Sequence, residues 1–506
     1  MYHIVVFDIG KTNKKIVVYS SELELISKDS VQIPEKEAYV DGRKLYCDDI
    51  EGIKTWLFEK LASLFSDRKY NIKVISTTTH GATIVWLSER GELLLPVISY
   101  TNEIENETRE KFYKLFGSAE ELYLETATPP YGQLLAVALQ IFYVKEKFTE
   151  KFNNAKHILF LPQYISYLLT GKTLNEITSI GCHTYLYSFK EKKLSSVARK
   201  LNICRKLGCK IYSPFAIAGR ISEKILREHK NFDKSCKVSC GIHDSNASLL
   251  PYLINEESGK FVLASTGTWC VFMYPGSEFY LSREDLYKDT LYYIDAFGRP
   301  VRASRVKGGE EHDHYAKLIE KRFSVDPRTM ELGAAVFKKI LSEGKTFVIP
   351  SLTQGCGQFP FSKPRIVGEK NFYRSAEIAY HTLCLSVAIQ SYYAIQQAVG
   401  KDEGKKIDIY VEGGFRNNKV YLGMLSVLFP ENDVYVTDIE EATSLGAALC
   451  GKCAYENIST DKMKEILPGM VKIKKVLVPK VSIPQREIMV KRYIAAFERY
   501  CSGKKE

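Results

Sequence analysis

The chain has 506 residues, 45% hydrophobic and 26% charged, with a formal net charge of +11. That length and balance fit a soluble globular protein with room for two domains. Nothing approaches the roughly 18 consecutive apolar residues of a membrane span. The positive charge suits an anionic ligand. It is spread along the chain, with mild enrichment at Lys472, Lys474, Lys475, Lys480, Lys491 and Arg492. Basic stretches interleaved with aromatics are not evident, so nucleic acid is not an expected partner. The opening MYHIVVFDIG lacks the basic flank and apolar core of a leader, so the cytosol is the expected compartment. The twelve cysteines form no spaced framework and read as reduced, buried small side chains, the lone pair Cys450 and Cys453 included.

In chain order, VVFDIGKTNKKIVVYS (Val5–Ser20) reads as two β-runs around a small polar turn. A third β-segment is expected between Val31 and Tyr46, then a helix from about Asp48 to Phe65, with Ile53, Leu57, Leu61 and Leu64 at helical spacing. Ile72–Thr78 reads as a strand, and the pattern from about Glu105 to Leu201 is mostly helical. VLASTGTWCVFMY (Val262–Tyr274) repeats the opening hairpin pattern. A long helix from about Ser375 to Val399, a strand Ile407–Gly414, a helix Asn418–Leu428, a strand Asp433–Thr437 and a helix from Glu440 complete a second α/β unit. The boundary between halves is expected near Ser248–Gly259, and the last residues, Ser502–Glu506, read as disordered.

Several residues could carry chemistry. A tight glycine turn between strands exposes backbone N–H groups, so two such hairpins could clamp a polyphosphate, or could be two ordinary hairpins. Asp8, near the end of a buried strand, is either a turn-capping residue or a carboxylate that meets a cation, Mg²⁺ being natural beside phosphates. Asp244 in GIHDSNAS either caps a helix or works as a general base at a strand tip. Gly413 and Gly414, between a strand and a helix, would let a ligand lie against the backbone. Neither a GxGxxG nor a GxxxxGK[ST] pattern supports the commoner nucleotide folds. Gly308-Gly-Glu-Glu-His312-Asp-His314 looks metal-like but lacks HExxH spacing, and reads as a solvated polar helix start.

Taken together, these motifs resemble the FGGY family of carbohydrate kinases, in the actin–hexokinase–Hsp70 ATPase superfamily. The likeness covers nearly the whole chain in the family's motif order. DIGKTNKK matches the first phosphate hairpin, STGTW (Ser265–Trp269) the second, EGGFRNN (Glu412–Asn418) the adenosine motif, and EATSLGAAL (Glu441–Leu449) the C-terminal glycine–alanine helix. The resemblance implies two ribonuclease-H-like α/β domains around a central cleft. Residues 1–249 would be mainly sugar-binding and residues 250–506 mainly ATP-binding.

It also implies roles. Asp8 takes the magnesium-associated position, and Gly10, Lys11, Thr12, Asn13 and Lys15 take the first phosphate loop. Thr266, Gly267, Thr268, Gly413, Gly414 and Asn417 take the remaining ATP positions. Asp244 falls on the catalytic base, and His80, Gly81, Asn102 and His243 fall on the sugar side. ATP and Mg²⁺ are the implied cofactors, a sugar is the partner, and a homodimer is compatible with the family.

The departures lie mostly on the sugar side. Lys11 stands where Thr is common, which would add a cation near the phosphates. The family's Trp-x-Asp-x-Arg appears as Tyr100-Thr-Asn102-Glu-Ile104, losing both charges, and Gln163 replaces a frequent Asp. The pairs His243-Asp244 and Thr268-Trp269 look most like the rhamnulokinase and fuculokinase branch, which implies a 6-deoxy-ketohexose or similar ketose. The rival expectations are a nucleotide switch on the same scaffold and a degenerate kinase that senses a sugar.

Overall fold

Strand β1 (His3–Ile9) lies inside a sheet, and its composition says why. Apart from Asp8 and the half-buried His3 at its start, HIVVFDI is apolar on both faces, as a strand covered on both sides must be. The turn at Gly10–Thr12 returns the chain into β2 (Asn13–Ser20), which runs antiparallel to β1 with Asp8 opposite Lys15. β3 (Leu25–Gln32) is antiparallel to β2, and β4 (Ile72–Thr79) is parallel to β1. β5 (Ile217–Arg220), β6 (Lys237–Ser239) and β7 (Ile242–His243) complete the sheet, in the order β5-β6-β4-β1-β2-β3 with β7 also on β4. These are features of a computed structural model that describes residues 1–208, 210–256, 260–353, 355–402, 404–471 and 473–502. Lys472, the tail after 502 and the end of the expected boundary at 257–259 lie outside the described residues.

Two expectations shift here. β3 begins at Leu25, earlier than anticipated, because a tight turn with Leu23 at φ 64° closes the hairpin at Ser20–Glu24. Residues 36–48 instead form a separate ladder, Lys36–Val40 against Arg43–Asp48. Because Asp48 belongs to that ladder, helix α1 (Ile50–Ser66) starts after it, with the Asp49 side chain accepting from the Gly52 amide. Within the mostly helical stretch from 105 to 201, the strand His157–Phe160 also pairs with Ile84–Leu87.

The alternation of β1 sorts its side chains. Val5, Phe7 and Ile9 pack with Trp56, Leu57 and Leu61 of α1. Ile4 and Val6 belong to a second core with Leu250, Ala447 and Leu449. Asp8 follows Ile4 and Val6 onto that second face, which α2 (Asp244–Asn255) covers.

The other compact unit repeats the plan. β8 (Phe261–Thr266) pairs antiparallel with β9 (Cys270–Tyr274), which pairs antiparallel with β10 (Pro300–Val306). β11 (Asp408–Gly413) runs parallel to β8, and β12 (Asp433–Asp438) parallel to β11. The orders β3-β2-β1-β4 and β10-β9-β8-β11 are therefore one topology used twice. α3 (Gly308–Phe323), α4 (Ala376–Val399) and α5 (Lys419–Leu428) pack on this sheet. α4 starts at the Ser375 cap and is apolar nearly all round because it is buried nearly all round. Among the described residues, no helix is long and apolar enough to cross a membrane.

The chain then returns. The first unit comprises Met1–Glu257, Tyr292–Pro300 and Ile439–Ile473, and the second comprises Ser258–Leu291, Val301–Asp438 and Lys474–Glu506. Helix α6 (Ala442–Glu456) therefore belongs with β1 and α2. It crosses α2 so closely that a Cβ on Gly446 would stand 1.8 Å from the Ala247 carbonyl oxygen. Gly446→Ala should therefore lower unfolding free energy by roughly 1–3 kcal/mol, an overpacking cost. Gly469→Ala, which meets open space, should leave it unchanged. Chemical denaturation of both variants checks this.

Candidate active site

In the first unit, three local rules bring acidic groups together. Strand alternation puts Asp8 on the face of α2 and α6, where the Ser444 hydroxyl, on the first turn of α6, donates to its Oδ2 at 3.0 Å. Burial pushes the Asp8 carboxyl up to about 6; Lys15 and Ser444 oppose that, while the charges of Asp244 and Glu441 add to it. A divalent cation fits this site, because it would relieve the mutual repulsion of these carboxylates. Lys15, directly across the ladder from Asp8, reaches Glu441 at 2.6 Å.

Asp244 is the first residue of α2. Its Oδ1 accepts from the Ser245 amide at 2.6 Å, and its side chain stays 32% exposed. His243 is buried beside it. Asn246 Nδ2 donates to His243 Nδ1 at 3.2 Å, which places the imidazole proton on Nε2, 3.2 Å from Asp244 Oδ1. Burial lowers the His243 pKa, so the ring is neutral near pH 7. Gly81 lies against this ring, since a Cβ there would stand 2.7 Å from Nε2.

A second cluster adjoins the first. His80 Nε2 lies 3.8 Å from Asp48 Oδ1, and its ring meets Tyr100 edge-on at 5.9 Å. The charge of Asp244 reaches both His80 and Tyr100, whose phenol burial pushes up to about 12. His80 Nε2 and Asp48 Oδ2 are buried and have no hydrogen-bond partner. In a folded protein such atoms ask for a ligand or water.

Two residues are engaged otherwise than the resemblance suggests. The Lys11 amine is held by Glu35 at 2.5 Å, Asp48 at 2.8 Å and Ser99 Oγ at 3.0 Å, over the Tyr100 ring. Asn102 is spent on backbone. Its amide donates to Tyr46 O and Ser99 O, and its oxygen accepts from the Tyr46 amide, so both amide N–H groups are engaged by backbone. Thr12 and Asn13 sit exposed at the hairpin tip beside Gly10.

In the second unit, Thr266, Gly267, Thr268, Gly414 and Asn417 line one cavity of about 330 Å³. Gly413 pairs with Thr266 in the ladder just beside it. The Thr266 hydroxyl donates to Glu412 O and accepts from the Phe415 amide at 2.9 Å, which ties the two loops together. The same cavity takes Asn418, the last residue of the EGGFRNN motif, and Gly309 and His312, which the sequence pattern did not assign to it. A Cβ on Gly309 would stand 1.9 Å from Gly267 O, so the glycine is what admits the hairpin. The GGEEHDH segment starts a helix as expected, with Asp313 and His314 exposed, but it is not solvated throughout. Glu311 is buried and accepts from the Ser351 amide and Gln390, and His312 is buried against Tyr380 and Phe415.

The Asp8 geometry yields a stability test. A carboxyl raised in the folded state holds its proton more tightly folded than unfolded. Its contribution is therefore present below pH 4 and lost as pH rises through about 6. Asp8→Asn should stabilise the ligand-free protein at pH 7–8 by roughly 2–3 kcal/mol and flatten its stability profile between about pH 4 and 6. Denaturation across that range reads it out.

Residues 3–251 match the N-terminal domain of the FGGY family of carbohydrate kinases, and residues 258–460 match the carbohydrate kinase FGGY C-terminal domain. A rhamnulokinase of Halalkalibacterium halodurans is 26% identical over 268 residues, 52% of this chain and 52% of the relative. The chain thus spans about half the length of the curated relatives it matches. Among solved structures, a carbohydrate kinase from Novosphingobium aromaticivorans superposes with a TM-score of 0.80 at 22% identity, covering 98% of both chains. A ligand-bound xylulose kinase from Lactobacillus acidophilus gives 0.78 at 18% identity, covering 99% of this chain and 97% of that one. At these identities the structural likeness establishes the fold. With both domain models matched in order, the chain belongs to the FGGY family of carbohydrate kinases.

Proposed function

We propose that this protein transfers the γ-phosphoryl group of ATP to a hydroxyl of a ketose, with residues 1–249 mainly holding the sugar and residues 250–506 mainly the nucleotide. The observation that carries the reading is Asp244. It is an accessible carboxylate fixed by the Ser245 amide and faced by a neutral His243, beside buried polar atoms that lack partners. Sugar hydroxyls are the chemistry that would satisfy His80 Nε2 and Asp48 Oδ2.

Asp244 accepts the proton of the attacking hydroxyl as that oxygen bonds to the γ-phosphorus and the bond to ADP breaks. His243 is a positioning residue, whose Nε2–H holds the carboxylate in place. Mg²⁺, held through Asp8, would neutralise charge on the phosphates; the loose transition state makes such neutralisation and positioning the main work. Gly10, Thr12, Asn13 and Lys15 belong to the first phosphate loop. Thr266, Gly267, Thr268, Gly413, Gly414 and Asn417 hold the nucleotide. The carboxylate and cation missing at Asn102 and Ile104 are supplied by Asp48 and Lys11, from different elements. A deoxy-ketohexose such as L-rhamnulose or L-fuculose is the favoured substrate, supported by the likeness to a rhamnulokinase. The cytosol, where ATP is available, is the favoured compartment.

The test is ADP release with Mg-ATP against L-rhamnulose, L-fuculose, L-ribulose, xylulose and glycerol. One ketose should give a strong response. Silence with all of them, while ATP still binds, would favour a sensor or switch. Asp244→Asn should keep ATP binding and lower kcat by about 10²–10⁴, the usual range for a lost general base. Near-normal turnover would sink the base assignment. Lys11→Met should raise KM for the sugar while leaving KM for ATP nearly unchanged. The opposite pattern would return Lys11 to the phosphates.

A further inference from the structure

Next to Asp244 and His243 lie two side chains, Cys182 and His183, to which phosphoryl transfer assigns no part. Cys182 and His183 sit in a tight loop where His183 and Tyr185 take left-handed backbone angles, φ 37° and 59°. Both are buried, as is His243. One potential ligand atom from each of Cys182, His183 and His243 lies within 4.8 Å of the others. Cys182 Sγ is 3.6 Å from His243 Nε2, and Asp244 Oδ1 is 3.2 Å from that same nitrogen. A tetrahedral zinc ion with ordinary bond lengths separates a thiolate sulfur from an imidazole nitrogen by about 3.6 Å, and a nitrogen from a carboxylate oxygen by about 3.4 Å. The two separations to His243 Nε2 match the edges of a coordination shell, whereas His183, within 4.8 Å, and Asp244, outside that three-residue group, must draw in to complete it.

Two further features suit a metal. Tyr293 stacks on the His243 ring at 6.0 Å and 26°, and Tyr131 meets the His183 ring edge-on at 6.0 Å, so both imidazole planes are fixed by packing. Behind His243, Asn246 Oδ1 is buried with no hydrogen-bond partner. When Nε2 binds a metal, the imidazole proton must move to Nδ1. Rotation of the Asn246 amide then presents Oδ1 to that proton and satisfies both atoms, the outer-shell contact that metal-bound histidines characteristically make.

We propose that Cys182, His183 and His243 form a site for a thiophilic divalent cation of the zinc class, with Asp244 as fourth ligand. Binding releases the Cys182 thiol proton to solvent and shifts the His243 proton from Nε2 to Nδ1. The occupied site withdraws Asp244 from the hydroxyl it would deprotonate, so the cation inhibits. The metal site stands on geometry alone, whereas its inhibitory effect rests on Asp244 being the base.

The test uses the full chain, freed of metal by a zinc-selective chelator and assayed with excess Mg²⁺. Titration with Co²⁺ should give a thiolate-to-metal absorption band that saturates at a single ion per chain. Zinc should then compete the band away. Zinc should also lower ADP release by roughly tenfold or more, as loss of an acid–base catalyst does, and the chelator should restore it. Cys182→Ala and Cys182→Ser, each checked for an unchanged melting curve, should lose the band and the inhibition while keeping metal-free turnover. Absence of the band in the native chain, or its persistence in both variants, would overturn the site. A Cys182-dependent band without inhibition would leave the site standing and overturn the assignment of Asp244 as base. The spectroscopic arm reads the site even where no sugar is turned over.

Discussion

The crossing of α2 over α6 is the constraint on which the active region depends. Gly446 lets the two helix backbones approach until only a hydrogen fits against Ala247 O. That approach brings Ser444 and Asp244, both on first turns, to the same strand face as Asp8. Each helix start carries partial positive charge, which favours carboxylates gathered there. A wider crossing would move Ser444 away from Asp8 and loosen the electrostatic contact between Asp8 and Asp244. The pattern Ser-Leu-Gly-Ala-Ala is thus a packing requirement first, and its chemical consequence follows.

Cost and use meet in the same residues. Asp8 is held in an environment that raises its pKa, and His80 and Asp48 keep buried polar atoms without partners. Each of these opposes folding in the ligand-free chain. Groups left under-satisfied in this way are what a polyhydroxylated, anionic reaction complex can reward. The nearby Asn102 shows the contrast, since both its amide N–H groups are engaged by backbone and it acts as a brace.

Much of this was readable from the chain. The two hairpins, the strand carrying Asp8, the helix opened by Asp244 and the turn at Gly413–Gly414 follow from local periodicity and glycine placement. What local pattern cannot carry is partnership across long separations. Lys11 sits in a glycine hairpin whose pattern suggests phosphate, but Asp48, 37 residues away, claims its amine. Glu311 and His312 looked solvated because their neighbours are polar, yet α4 and the strand before residue 351 cover them. Cys182 and His243 are 61 residues apart, with no spacing motif to join them. The cluster of Lys11, Asp48 and His80 is least legible because it is assembled from three separate elements.

The return of residues 439–473 to the first unit has a consequence for biosynthesis. Ile4, Val6, Val17 and Tyr19 share their core with Ala447, Ala448 and Leu449. During vectorial synthesis those apolar side chains emerge early, but α6, which completes their cover, emerges only after most of the second unit. The nascent first unit must therefore wait with that sheet face only partly covered, by α2 and not yet by α6, and the bare part is a surface that chaperones recognise and that other nascent chains can stick to. A ribosome that stalls before residue 442 leaves the α6 footprint on that face permanently uncovered.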